Sequence, residues 1–220
     1  MDAKNLIAWR VAQELKDGDV VNLGIGLPTL IPNYLPAGVS ITLQSENGFL
    51  GLGPLVGEPV ANLVNAGGKP CGMVPGTAFF DSAVSFAIIR GGHVDVTVLG
   101  GLQVDQEGNL ANWMVPGKMV PGMGGAMDLV TGAKNVIVAM EHATREGSAR
   151  ILKRCTLPLT APRKVCSIVT ELALFRFVEG RLMLVEGAPD VSIDQIRART
   201  EAEFEVGRDF RAMQVPGALG

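Results

Sequence analysis

The sequence predicts an α/β fold: a mostly parallel open sheet with helices on both faces, plus a small hairpin excursion. Three observations carry this expectation. Short apolar runs at 20–23, 94–99 and 136–140 alternate with segments of helical periodicity. The strand-like runs are apolar along most of their length, as strands covered on both faces are. Glycines break the chain directly after several of them, at Gly24 and Gly26 and at Gly100-Gly101. Alternating strand and helix is the pattern of parallel neighbours, which need a crossover between them. The chain is read as one domain spanning 1–220.

Each element follows from local signals. Residues 3–16 place Leu6, Ile7, Val11, Ala12 and Leu15 at helical spacing behind Asp2, a capping residue. Asp17-Gly18 ends that helix, and Val20, Val21 and Leu23 form a strand. Pro28 suits the first turn of a second helix. Residues 41–44 make the next strand and deliver Ser45-Glu46-Asn47-Gly48. Residues 51–80, rich in glycine and proline, are expected to wind across the surface. Asp81-Ser82 caps a helix to about Arg90, and 94–99 is a buried strand. Residues 103–113 form the excursion, turning at Gln106-Glu107-Gly108-Asn109. A short helix covers 126–130, followed by strands at 136–140, 165–169, 173–178 and 181–186. The last two flank Glu179-Gly180 as a hairpin, and 191–200 is a late helix.

Composition excludes several function classes. The net charge is −3 with no long basic run, so nucleic acid is not expected as a ligand. Charged residues are 19% of the chain, below the usual quarter, which points to surface covered by partner chains. Cys71, Cys155 and Cys166 are widely spaced and form no CxxC pair, so neither a disulfide framework nor a zinc site is indicated. No signal-peptide core and no run of 18 apolar residues occurs, so a cytoplasmic location without membrane contact is expected.

In parallel sheets ligands bind at the carboxyl ends of strands. That rule gathers Gly24-Ile25-Gly26, Glu46, Gly100-Gly101 and Glu141 on one rim. Gly24-Ile25-Gly26 lacks the third glycine of a dinucleotide fingerprint, because position 29 is Thr29. It reads instead as a tight turn beside a ligand; Asn22 either caps that turn or touches substrate. Glu46 has no basic residue within twenty positions, so its carboxylate is either solvated or kept reactive. As a nucleophile it needs converging N–H donors for the oxyanion it creates. The glycine-rich stretch from Pro116 to Gly125 is the richest source of them, or else a surface loop. Within it Lys118 either meets a phosphate or carboxylate or stays solvated. His93 and His142 read as structural, although Glu141-His142 is the best conventional acid–base pair.

Several motifs together resemble a known family. They are Asn22-Leu23-Gly24-Ile25-Gly26, Ser45-Glu46-Asn47-Gly48 with Leu50-Gly51-Leu52-Gly53-Pro54, and Ile89-Arg90-Gly91-Gly92-His93-Val94-Asp95. Leu110-Ala111-Asn112-Trp113, Pro116-Gly117-Lys118-Met119-Val120 and Gly122-Met123-Gly124-Gly125-Ala126-Met127-Asp128-Leu129 complete the set. The chain resembles the beta subunits of family I 3-oxoacid CoA-transferases from about residue 3 to 205, nearest to the bacterial acetate/acetoacetate branch. A 3-oxoadipate or succinyl-CoA enzyme is the neighbouring reading, and a sugar-phosphate isomerase or a non-catalytic subunit of similar fold the remote ones.

The resemblance implies a ping-pong transfer through a glutamyl-CoA thioester on Glu46. It implies Gly125 as an oxyanion donor, and Asn22 and Lys69 as residues that position CoA. Gly24, Gly26, Asn47 and Gly124 join them in the CoA and substrate site. Coenzyme A is then a substrate held covalently in the intermediate, with no separate cofactor and no metal. A separate alpha subunit completes the site, in a heterotetramer or larger αβ assembly, and the acid is acetate, butyrate or acetoacetate.

Overall fold

The computed structural model describes residues 1–117 and 123–215. In chain order the elements are α1 (Ala3–Ala12), β1 (Val20–Leu23), a 3-10 helix (Leu27–Tyr34), β2 (Thr42–Ser45), β3 (Phe49–Gly53), β4 (Gly72–Phe79) and α2 (Ser82–Arg90). Then come β5 (Val96–Leu99), β6 (Gln103–Asp105), β7 (Leu110–Ala111), α3 (Ala126–Gly132), β8 (Asn135–Ala139), β9 (Ile151–Leu152) and β10 (Ser167–Val169). The last are β11 (Ala173–Val178), β12 (Arg181–Gly187), α4 (Ile193–Ala198) and β13 (Glu205–Ala212).

Ten strands form one open sheet in the order β13-β12-β11-β10-β8-β5-β1-β2-β3-β4. Its centre is parallel: β10, β8, β5, β1 and β2 run the same way. Antiparallel pairs flank that centre on both sides. Strands β6, β7 and β9 make a separate small sheet, which contains the expected hairpin excursion.

Alternation along the central strands builds two cores. Val96 and Val98, with Ile137 and Ala139, pack toward Ile7, Val11 and Ile31 of α1 and the 3-10 helix. Leu99, Val136 and Val138 pack on the opposite face with Ile89 of α2, Leu129 of α3 and Ile196 of α4. This two-sided cover is why these strands carry an almost unbroken apolar run.

Local chemistry sets the ends of most elements. The Asp2 carboxylate accepts from the Asn5 N–H and caps α1, and Asp81 caps α2 through Val84. Ser192 and Gln195 form a reciprocal capping box on α4. Glu179 and Gly180 both take positive φ, 51° and 76°, as a two-residue hairpin turn between twisted strands requires. The helix opened by Pro28 is a 3-10 helix; Pro32 inside it has no N–H to donate, and in an α-helix its ring would crowd the carbonyl four residues back.

The expectation that residues 51–80 wind across the surface is corrected in two stretches. β3 and β4 pair antiparallel at one end of the sheet, with a bulge between Leu50 and Leu52. Phe49, Gly51 and Gly53 turn inward, so glycine occupies buried strand positions where an apolar signal is expected. β4 is exposed along most of its length and carries no period-2 pattern. β13 was not expected either; it lies beside β12 as the other edge strand. The first and last helices are shorter than the expected 3–16 and 191–200.

One buried ionic network ties the chain's beginning to its end. Arg10 donates through Nε to Glu186 Oε2 at 2.6 Å, and Arg211 donates to Glu186 Oε1 at 2.7 Å. Arg10 also meets Glu14, which receives Arg176. Burial alone would raise the Glu186 carboxyl, but the two guanidinium groups outweigh it and hold it below the ordinary glutamate value of 4.5. A carboxyl depressed in the fold contributes stability above its unfolded value and loses it as pH falls through the folded value. Removing one partner of such a network leaves buried charge uncompensated. Glu186→Gln is therefore expected to cost roughly 3 kcal/mol in urea unfolding at neutral pH, with acid lability below pH 4.5 reduced relative to the parent.

Candidate active site

The parallel centre brings the carboxyl ends of β1, β2, β5 and β8 to one edge. Gly24-Ile25-Gly26, Glu46, Gly100-Gly101 and Glu141 therefore share the rim that the sequence implied. The Gly24 N–H donates to Val98 O at 2.8 Å, which closes the elbow after β1 onto β5. Asn112 donates to the Gly100 carbonyl at 3.1 Å and pins the turn after β5.

Sidedness then decides where the Glu46 side chain goes. Val21 and Leu23 face the α1 side, so Asn22 faces α2. In register beside it lie Thr97 on β5 and Gln44 on β2. Asn22 donates to Gln44 Oε1 at 2.6 Å, and Gln44 donates to Ser85 of α2 at 3.0 Å. Glu46 lies two residues beyond Gln44 and inherits its side of the sheet. The start of α3 lies on that side.

There the Gly125 N–H donates to Glu46 Oε1 at 3.2 Å. It is one of the first-turn N–H groups of α3 that have no partner inside the helix. A Cβ on Gly125 would stand 2.5 Å from Glu46 Oε2 and 2.9 Å from its Cδ. With any side chain at 125 the carboxylate would have to move from this position. Gly124 lies on the other flank, where an added Cβ would sit 3.4 Å from Oε1.

The turn that carries Glu46 is tight for a similar reason. Gly48 has φ 129°, and a Cβ there would collide with the Phe80 carbonyl. Its N–H donates to Ser45 O at 3.0 Å, and the Phe80 N–H returns to Gly48 O at 2.9 Å. Ser45 is 4% exposed, whereas Glu46 is half-buried and Asn47 is exposed. The carboxylate thus rises from a rigid, glycine-closed turn.

The remaining expected residues are dispersed around this point. Asn22 is 4% exposed, and its amide group is engaged with Gln44 beneath the rim. Lys69 is exposed, on a turn that leans on Ser45 and Asn47. Asn47 gives its amide to Val64 O at 2.8 Å. Gly26 takes φ 88° at the head of the 3-10 helix. Lys118 lies outside the described residues. Sequence reasoning missed Gln44 and Ser85, which lock the row beneath the site. A polar residue two positions before Glu46 on a buried strand was the available signal.

His142 packs beside Phe175, with ring centroids 6.2 Å apart. It is fully buried, with Nδ1 at 2.9 Å from Thr170 Oγ1 and Nε2 at 3.0 Å from Thr200 Oγ1. Glu171 receives its backbone N–H. Burial, reinforced by the Arg199 charge, pulls His142 down to about 4. His93 is exposed, in the turn after α2. His142 takes a structural position, and among the described residues its ring bonds Thr170 and Thr200 and not Glu141. Among the described residues no group of three or more His, Cys, Asp or Glu could hold a metal ion.

The His142 shift carries a sign. Its folded value lies below the ordinary 6.5, so the fold prefers the neutral ring. That stability is complete above pH 6.5 and is lost as pH falls toward 4. With one pKa unit equal to about 1.4 kcal/mol, the protein is expected to be about 2 kcal/mol less stable at pH 5 than at pH 7.5. Urea unfolding at the two pH values checks this, and His142→Gln is expected to flatten the difference.

Comparison with known proteins follows the same line. A family model described as Coenzyme A transferase matches residues 4–199. The chain is 68% identical over 216 residues to a Haemophilus influenzae protein named acetate CoA-transferase subunit beta, covering 98% of this chain and 97% of the relative. An Escherichia coli K12 protein of the same name is 66% identical over 214 residues, covering 97% and 99%. An acyl-CoA transferase apoenzyme structure from Escherichia coli O157:H7 superposes with a TM-score of 0.79 at 22% identity, which speaks to the fold. This chain is 97% covered in that superposition but spans only 43% of the other chain. No helix among the described residues is long and apolar enough to cross a membrane.

Proposed function

The chain belongs to the coenzyme A transferase family, and from that premise we propose that it is the nucleophile-bearing beta subunit of an enzyme that moves CoA between short-chain acids. The observation that carries the reading is the Glu46 carboxylate held at 3.2 Å by the Gly125 N–H on the carboxyl-end rim. Acetate, butyrate and acetoacetate are the acids proposed, in line with the names of the relatives that are 68% and 66% identical. An alpha subunit supplies the rest of the site, in a heterotetramer or larger αβ assembly. The subunit designation of those relatives supports a partner. The three free cysteines suit a reducing, cytoplasmic compartment.

The reaction begins when one Glu46 oxygen attacks the carbonyl carbon of the donor acyl-CoA. A C–O bond forms, the C–S bond breaks, and CoA leaves as thiolate. The product on the enzyme is a mixed anhydride of Glu46 and the acyl group. The thiolate then attacks the glutamyl carbonyl, the anhydride C–O bond breaks, and the first acid leaves as carboxylate. A glutamyl-CoA thioester remains. The second acid attacks that thioester and expels the thiolate, which finally attacks the new acyl carbonyl and frees Glu46.

Gly125 fits two of these steps. When thiolate or acid attacks the glutamyl carbonyl, negative charge gathers on the former Oε1. The N–H already placed there needs no reorganisation to stabilise it. Coenzyme A is a substrate in this scheme, carried on the enzyme for half of each cycle. Asn22, Lys69, Gly24, Gly26, Asn47 and Gly124 are proposed to shape its site. Lys69 meets an anionic part of CoA, and the glycines let the thioester arm approach the backbone closely. Anhydride and thioester both hydrolyse in water, so the partner subunit is required to close the half-buried Glu46 from solvent.

The chain co-assembled with its partner subunit tests this directly. Glu46→Gln keeps the shape and removes the nucleophile, so steady-state transfer from acetoacetyl-CoA to acetate is expected to fall to background. Gly125→Ala keeps the N–H, but its methyl pushes the Glu46 carboxylate off that donor, so kcat is expected to fall by roughly 10²-fold, the scale of one lost oxyanion donor, with unchanged circular dichroism. Glu46→Gln retaining parental turnover would refute the mechanism.

A further inference from the structure

Ser45 and Asn47 flank the nucleophile, yet their side chains turn away from it. The Ser45 hydroxyl donates to Asn47 Oδ1 at 2.5 Å. The Asn47 amide donates to Val64 O at 2.8 Å, and Ser45 Oγ accepts from the Ala66 N–H at 3.2 Å. The last two bonds join the turn carrying Glu46 to a segment 17 to 21 residues further along the chain, and the first couples their two anchors.

That segment is itself closed. Val64 and Pro70 form an antiparallel bridge, and Cys71 N–H donates to Leu63 O at 3.4 Å. At the tip, Asn65 Oδ1 accepts from the N–H groups of Gly67 at 2.9 Å and Lys69 at 3.1 Å. The Asn65 N–H donates to Lys69 O, and Gly68 N–H donates to Asn65 O, both at 2.9 Å. Leu63 and Cys71 pack with Phe49 below the tip. On the far side, Ile25 leans on Gly67, its Cγ1 3.4 Å from where a Cβ would stand. The tip is a preformed platform, and its cation, Lys69, is exposed.

The geometry points to Ser45 and Asn47 as positioning residues that lock the Lys69 platform to the Glu46 turn. This deepens the proposed function and rests on it, because it takes Lys69 as a contact for CoA. The physical reason is entropy. A lysine on a free loop must have its backbone and its side chain ordered each time CoA binds, whereas on a clamped tip the backbone is already placed. The clamp also fixes the spacing between the CoA anion bound by Lys69 and the carboxylate that receives its thioester carbon. Asn47 thereby acts through Lys69, with its amide already committed to Val64.

The test uses the co-assembled enzyme with acetoacetyl-CoA as donor and acetate as acceptor. Asn47→Ala and Ser45→Ala are expected to raise the KM for acetoacetyl-CoA about tenfold, the scale of one or two lost hydrogen bonds, with a smaller change in kcat. Ser45→Thr keeps the hydroxyl and is expected to restore KM. Asn47→Ala combined with Lys69→Ala is expected to be no worse than Lys69→Ala alone. Hydrogen exchange adds a readout independent of turnover. The amides of Gly67 and Lys69 are expected to exchange faster in Asn47→Ala, while that of Phe80 stays protected. An unchanged KM with a fallen kcat, full additivity with Lys69→Ala, or unchanged exchange at Gly67 and Lys69 would each overturn the assignment. A parent assembly that transfers no CoA would instead sink the proposed function, and the exchange result would still decide whether the clamp exists.

Discussion

Everything in the site turns on one close approach: a backbone N–H at Gly125 against the carboxylate of Glu46. The two residues are 79 positions apart. Their contact demands that Glu46 point to the α3 side of the sheet and that no side chain intervene at 125. Both demands are met by backbone. Strand alternation from Gln44 sets the side, and the missing Cβ leaves the space. A charge-assisted bond to a carboxylate is stronger than one between neutral groups, and it lies on a half-buried rim. The contact holds the nucleophile in the resting enzyme and serves the oxyanion later in the proposed cycle.

The frame around that contact is rigid by construction. Five parallel strands, packed on both faces, leave the carboxyl-end loops little freedom at their roots. Beneath the rim, the Asn22–Gln44–Ser85 row links β1, β2 and α2 with side-chain hydrogen bonds. Thr97 Oγ1, in the same row, is buried without a partner among the described residues. At the other side of the sheet, Arg10, Glu186 and Arg211 tie α1 to β12 and β13. That network is remote from the chemistry. It places charge where a hydrophobic cluster would also serve, and it joins α1 to β12 and β13.

Features governed by neighbours in the chain were legible in the sequence. The caps at Asp2 and Asp81, the Glu179-Gly180 turn and the buried strands all depend on residues a few positions apart. The rim was legible too, because strand order and the carboxyl-end rule are general. β3 and β4 were not, since glycine occupies the inward positions of β3 and β4 is mostly exposed. β13 hid for a related reason: an exposed edge strand bearing Glu205, Arg208, Asp209 and Arg211 shows no apolar alternation. Within the site, Glu46 read locally as an unpaired carboxylate, and only the motif resemblance raised it above a solvated one. Asn47 was placed among the CoA contacts by its neighbours in the motif, while its hydrogen bonds lead to Val64 and Ser45.

The covalent state of Glu46 bears most directly on the mechanism. The assembled enzyme, incubated with acetoacetyl-CoA and no acceptor acid, is expected to accumulate the glutamyl-CoA thioester. Borohydride reduction followed by peptide mass mapping reads its position. The mechanism requires the mass change of a glutamate reduced to its alcohol on the peptide that contains Glu46, dependent on acetoacetyl-CoA and lost when acetate is added first. Modification at any other residue, or none while the enzyme still exchanges label between acetoacetate and acetoacetyl-CoA, would contradict it.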